Sequence, residues 1–293
     1  MYSDTLEKRI DTLLSLRGIT GHVAAQRFIH DFKAYLCYFE VITGGNSEDT
    51  LLLLENDDIL TSTNVLRTNF RKSLWDLVPQ KLKDDKIFPD LFKILLGNKG
   101  KGIGKGELIL PLILSGYVFS VENDGRYDNG QKRSEIKDDG ASLKPIKTGV
   151  TDKGLVDKLN NIYFGGNAPG YVTNKNFSKH VESVKDPSVY QQYFEQLYPG
   201  CDITKLVEDV MQCYKDADKF NTAVGKFALK RYQEVDKWDN ILYIKESTME
   251  IVNISDPSDI DFLNLKFIPK FKRGGDTQAI ADGYVNVKIS QLT

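Results

Sequence analysis

The chain has 293 residues, 41% hydrophobic and 27% charged, a balance that suits one large globular domain or two smaller ones. Its formal net charge of -2 gives no overall attraction to nucleic acid or to an anionic membrane, so any polyanion must be held by a local basic patch or by metal. Cys37, Cys201 and Cys213 lie far apart without CxxC spacing, which argues against a disulfide framework and a structural zinc site and points to a reducing compartment.

The opening MYSDTLEKRIDTLL has no basic segment followed by an apolar one, and the longest nearly apolar run, 108–121, contains Pro111 and is too short to span a bilayer. Neither export nor a membrane is expected. Residues 1–96 read as a helical N-terminal domain: Leu6, Ile10, Leu13 and Leu14, then Phe28, Phe32, Tyr35, Leu36 and Phe39, recur at helical spacing. GGNSED interrupts that pattern, and LLLLENDDIL, LRTNFRKSLWDLV and IFPDLFKILLG resume it as short helices. Five glycines within 97–106, interleaved with Lys99, Lys101 and Lys105, predict a flexible basic loop.

A helix is expected to start near Glu107, because Pro111 is tolerated only in a first turn and the helix dipole favours an acid there. The run Leu108-Ile109-Leu110, continued by Leu112-Ile113-Leu114, is apolar all round and therefore deeply buried. A strand is predicted at 117–122, followed by a hairpin turning at Asn129-Gly130, a dipeptide that readily takes the positive φ of two-residue turns. Pairing outward sets Asp128 opposite Gln131 and Asp124 opposite Glu135, with Lys137 on the same face as Glu135 because side chains alternate. A polar turn, a helix at 152–164 capped by Thr151, a loop at 165–178 and three helices between 186 and 235 follow. After Trp238 the texture is that of strands: ILYIKE, MEIVNI, LKFIPKFK and AIADGYVNVKI. The expected organisation is thus a helical domain at 1–96, a core at 97–255 with a helical insertion around 186–235, and a C-terminal β extension at 256–293. The core is expected to join the Glu107 helix, three strands through Lys137, the helix near Leu155 and a strand at 241–244.

The glycine-rich loop fails as a phosphate loop: Lys99 stands where the first glycine of GxxxxGK[ST] belongs and Gly106 where Ser or Thr would be. The three histidines, His22, His30 and His180, have no metal-ligand spacing. The hairpin is different. Two carboxylates across a ladder lie about 5 Å apart and repel by roughly 3 kcal/mol at an effective dielectric near 20, a sign that a bound cation reverses. Glu135-Ile136-Lys137 is the one ExK in the chain, and the DxK matches at Asp31 and Asp84 have no paired acid strand. The plainer readings are that Glu107 satisfies a helix start and that Asp124, Glu135 and Lys137 belong to a turn and the wet face of an exposed hairpin.

The order of a GKGE-started helix, a strand, an acid, an Asn-Gly hairpin, ExK, a short polar segment and a helix resembles the PD-(D/E)xK nuclease superfamily, and more narrowly tailed-phage proteins with a similar GKGEL and a later E-[IV]-K near a GA. The resemblance covers 102–145. It implies an α/β fold, a restriction-endonuclease-like mixed sheet flanked by helices, here with the helical N-terminal domain. It carries the motif acid onto Asp124, the paired acid onto Glu135, the lysine onto Lys137 and the helix acid onto Glu107. No proline precedes Asp124, and Glu122 or Asp128 would take its place under a shifted register. The implied activity is metal-dependent phosphodiester hydrolysis, with Asp124, Glu135 and the Ile136 carbonyl on Mg2+ or Mn2+, and Glu107 at a second ion or its water. Lys137 would orient water and offset transition-state charge. Lys99, Lys101, Lys105, Lys132 and Arg133 are the implied phosphate contacts. DNA is the expected partner, with no membrane, a homo-oligomer or virion assembly as further partners, and the host cytoplasm or the virion as location. The rival expectation is a phage virion structural or interaction protein that keeps the nuclease fold.

Overall fold

The computed structural model describes residues 4–97, 106–120, 125–127, 133–143, 190–191, 194–195, 197–213, 216–245, 247–274 and 278–290. Helices α1 (Asp4–Leu16), α2 (Gln26–Thr43) and α3 (Ser47–Glu55) open the chain, followed by β1 (Thr61–Ser62), β2 (Phe70–Ser73), α4 (Gln80–Lys83) and α5 (Phe88–Leu96). Then come α6 (Leu110–Ile113), β3 (Leu114–Ser115), β4 (Tyr117–Val118), β5 (Gly125–Tyr127), β6 (Arg133–Asp138) and β7 (Ser142–Leu143). Helices α7 (Thr204–Cys213) and α8 (Ala217–Asp236) lead to β8 (Asn240–Lys245), β9 (Glu250–Ile254), β10 (Leu263–Gly274) and β11 (Gln278–Ile289). Among the described residues no helix is long and apolar enough to cross a membrane.

The chain divides into two compact units, residues 1–139 with 236–262, and 140–235 with 263–293. The first is mixed α/β. Its six-stranded sheet has the order β2-β9-β8-β6-β5-β4, with β6 parallel to β8 and every other neighbour antiparallel. β8 is central and Ile241, Leu242, Tyr243 and Ile244 are all buried, the continuous apolar run of a strand covered on both faces. Register and alternation put Phe70, Ile136, Leu242, Ile244 and Ile251 on one face, and these join a single core with Ile10, Leu14, Phe28, Phe32, Leu36 and Phe88 from the helices. Each such side chain contributes roughly 1.5–3 kcal/mol of transfer free energy on burial. The N-terminal helices and the sheet therefore stabilise each other, and the expected boundaries at 96 and 255 do not coincide with these units.

Two segments differ from expectation. Phe70–Ser73, expected as helix, is the edge strand β2 paired with β9, between 3-10 turns at Thr63–Arg67 and Leu74–Leu77. Asn69 tethers it, accepting from the N–H groups of Ser255 and Asp256 and donating to the carbonyls of Asp256 and Asp259. That partner lies more than 180 residues away, beyond the reach of local periodicity. The apolar run after Glu107 makes only a turn at 106–109 and the single helical turn α6 with Pro111 at its start, then extends as β3 beside β1. So Glu107 precedes a helix too short to offer it a dipole.

The second unit is built on α8 and the long antiparallel pair β10–β11, with β7 added along Val285 and Asn286. Phe267 is buried between Phe194 and Phe220, and its N–H donates to Asn221 Oδ1 at 2.8 Å. The four final strands follow the strand texture read after Trp238, and α7 and α8 match two of the expected helices; the helix expected at 152–164 lies outside the described residues.

Candidate functional site

β5 and β6 form the hairpin, with Gly125 opposite Ser134 and Arg126 opposite Arg133, the register that a two-residue turn at Asn129-Gly130 implies. The turn itself, Glu122, Asp124, Asp128 and Lys132 lie outside the described residues, as do Lys99, Lys101 and Lys105. Arg133 opens β6.

On β6, Glu135 and Lys137 share the face turned away from the helical core. Both are sheltered: their side chains are 8% and 16% exposed, and Lys137 Nζ donates to Glu135 Oε1 at 2.5 Å. This is a charge-assisted contact in a part of the sheet where water screens little. The hairpin here is therefore not a wet face. Ile136, between them, packs into the core and pairs with Leu242. Across the sheet the same row runs Lys137, Tyr243, Val252, Arg71. One step along, Glu250 accepts from Arg71 Nη2 at 2.7 Å and from Thr248 Oγ1 at 2.8 Å, with Lys245 Nζ 3.9 Å away. Burial pushes the Glu250 carboxyl up, but the hydrogen bonds from Arg71 and Thr248 and the charges of Arg71 and Lys245 outweigh it and hold the group below the usual carboxylate range.

Glu107 is buried, 8% exposed, in the turn before α6. A Cβ on the preceding Gly106, at φ +85°, would stand 2.8 Å from Ile244 Cδ1, so this turn lies against β8 at the level of Asp138, one residue past Lys137. Because Ile244 belongs to the core face, the turn approaches the end of β6 from the helical side, whereas Glu135 and Lys137 stand on the other. The structure thus brings Glu135 and Lys137 together and places the Glu107 turn at the same end of the sheet.

One feature escaped the sequence reading. Ser134, Asn240 and Asn253, all fully buried, form a relay across β6, β8 and β9. Ser134 Oγ donates to Asn240 Oδ1 at 2.7 Å and Asn240 Nδ2 to Asn253 Oδ1 at 2.7 Å. Asn253 Nδ2 then donates to the carbonyls of Leu66 and Thr68, both at 2.8 Å. The available signal was an asparagine inside the apolar run EIVNI, which a strand buries only with its hydrogen bonds met.

A carboxylate beside a main-chain carbonyl, as at Glu135 and Ile136, is the hard oxygen donor set of Mg2+ or Mn2+ rather than of zinc. Among the described residues no three of His, Cys, Asp and Glu gather into a group able to hold a metal ion. Asp124, the paired acid of the sequence reading, is outside them. No protein-family model, curated protein or solved structure matches this chain.

Proposed function

We propose that this protein is a metal-dependent nuclease of restriction-endonuclease-like fold that hydrolyses phosphodiester bonds in DNA. The observation that carries the reading is the sheltered Glu135-x-Lys137 pair, on a strand that is antiparallel to a hairpin partner and parallel to a later strand at the sheet centre. A solvated hairpin has no reason to bury an acid and an ammonium together. Asp124, the acid that the sequence pairs with Glu135, is the second ligand of this reading, and these two with the Ile136 carbonyl would hold the ion. Bound there, magnesium would polarise the phosphodiester and acidify a water. Lys137, a compact ammonium, orients the water and offsets charge on the phosphoryl oxygens. Glu107, whose turn meets the same end of the sheet from its other side, would have at most a secondary role. The virion-protein reading shares the fold and differs in lacking turnover.

The test is incubation of the purified protein with linear, circular and single-stranded DNA, with magnesium and with chelator. Lys137→Ala should cut the rate by about a hundredfold or more, the scale of one lost transition-state donor, while leaving magnesium affinity intact or raised through loss of a like charge. Glu107→Gln should lose less, and Asp128→Asn almost nothing. Equal rates for the wild type and Lys137→Ala would refute the assigned mechanism. No cleavage by the wild type would leave the virion reading in possession.

A further inference from the structure

Helix α2 changes character halfway along its outer face. Phe28, Phe32, Leu36 and Phe39 bury one side of it, and at about 100° per residue the opposite side carries Arg27, His30, Ala34, Tyr38, Val41 and Ile42. Arg27 and His30 make an ordinary solvated surface. Beyond them the face is apolar, yet Tyr38 is 56%, Val41 85% and Ile42 57% exposed, and Ala34, one turn earlier, is exposed too. The one charged residue between Ala34 and Thr43 is Glu40, and its carboxylate is taken up by the hydroxyl of the buried Ser47 at 3.1 Å. Tyr38 stands edge-on to the buried Phe39 ring, with centroids 5.3 Å apart, so the largest side chain of the stripe is held in place.

Single exposed apolar side chains are ordinary on a protein surface, but four contiguous ones form a patch. At these exposures the four leave roughly 400 Å² per chain, within the range of the largest patch on a typical monomer. Covered from both sides of a two-fold contact this becomes about 800 Å², and with the one-third polar share of homodimer interfaces the contact reaches ~1,200 Å², the lower bound of a specific interface. The stripe is also complementary to itself. In an antiparallel crossing centred on Tyr38, position 34 of one chain meets position 42 of the other, so the small Ala34 receives the bulky Ile42 once on each side of the axis.

We infer that the Ala34–Ile42 stripe of α2 pairs with the same stripe of a second copy of this chain, antiparallel about a two-fold axis at Tyr38. An area at the lower bound makes the dimer a weak one, with a dissociation constant of about 1–10 µM. The inference is independent of the nuclease reading. Sedimentation equilibrium of the full-length protein, over about a hundredfold range of concentration around that value, should show monomer passing to dimer. Ala34→Glu and Ile42→Lys should each weaken dimerisation about tenfold or more, since each sets a charge against an apolar partner. The double variant should recover most of that loss, because the two new charges then face each other across the axis; within one chain they stand about 12 Å apart along the helix and do not pair. Circular dichroism melting checks that each variant is folded, as exposed positions should allow. A wild type that stays monomeric throughout overturns the inference and leaves the stripe to a different protein. A dimer that both folded single variants leave intact overturns it as well, since it uses another surface, and a double variant as weak as the single ones overturns the antiparallel register.

Discussion

Replacing Lys137 by methionine keeps most of the apolar stem and deletes the ammonium that sits 2.5 Å from Glu135 Oε1. Glu135 is then a carboxylate in a site only 8% exposed that has lost the Lys137 ammonium. Breaking one side of a buried pair costs about 3–5 kcal/mol, and the 16% exposure of Lys137 argues for the lower end. For a unit of this size about 3 kcal/mol lowers the melting temperature by roughly 6–12 °C. Adding Glu135→Gln should recover most of that loss, because removing both charges of a buried pair is close to neutral. Calorimetry in chelator and in millimolar magnesium separates the two readings of the site. If a metal belongs beside Glu135, magnesium should raise the melting temperature of Lys137→Met more than that of the wild type, since the ion takes over the missing neutralisation. An unchanged melting temperature for Lys137→Met would refute the buried-pair argument. A full loss with no differential magnesium response would place the ion elsewhere.

Asn253→Ala removes the donor to the buried Leu66 carbonyl and the partly buried Thr68 carbonyl and the acceptor of Asn240 Nδ2, and the two lost buried hydrogen bonds, at about 1–3 kcal/mol each, predict a loss of roughly 2–6 kcal/mol in denaturant unfolding; a loss below about 1 kcal/mol would mean that water replaces the relay. Glu250 is held below its usual value of 4.5, so its ion pair stabilises the fold above that pH, and the stabilisation is lost as pH falls through the lower folded value. Glu250→Gln should therefore show a shallower acid limb than the wild type below about pH 4.5, and superimposable acid limbs would contradict the assignment. An Asp124→Asn, Glu135→Gln double variant should lose the magnesium-induced rise in melting temperature, and a rise that persists puts the ion at other ligands.

Local chemistry was legible wherever it decides the structure alone. The register expected from Asn129-Gly130 is the one that sets Gly125 against Ser134, period 3.6 found the buried faces of α1 and α2, and the β-rich runs after Trp238 are strands. The later core strand expected at 241–244 is β8, which the structure sets parallel beside β6. What failed depends on distant partners. FRKS becomes a strand only because β9 lies alongside it, and the run after Glu107 unwinds into β3 because Leu114 pairs with Thr61. The candidate site was half legible: Glu135 and Lys137 were placed on one face by alternation, but alternation along a strand does not say whether that face is buried.

The relay and the candidate site are one device seen from two sides of the same strand. Ser134 and Glu135 are consecutive and point to opposite faces, so whatever fixes the hydroxyl fixes the carboxylate. A slip of one residue between β6 and β8 would turn Glu135 into the helical core and bring Ile136 and Ser134 to the charged face, an exchange that apolar neighbours at Leu242 and Ile244 resist only in part. The Ser134–Asn240 hydrogen bond forms in one register alone, and the Asn240–Asn253 bond ties that register to β9. Buried amides add little net stability when every partner is present, yet they penalise each wrong pairing by the full cost of stranded polar groups. Fully buried polar residues inside this sheet are therefore best understood as the elements that hold Glu135 and Lys137 on the face where their chemistry is possible.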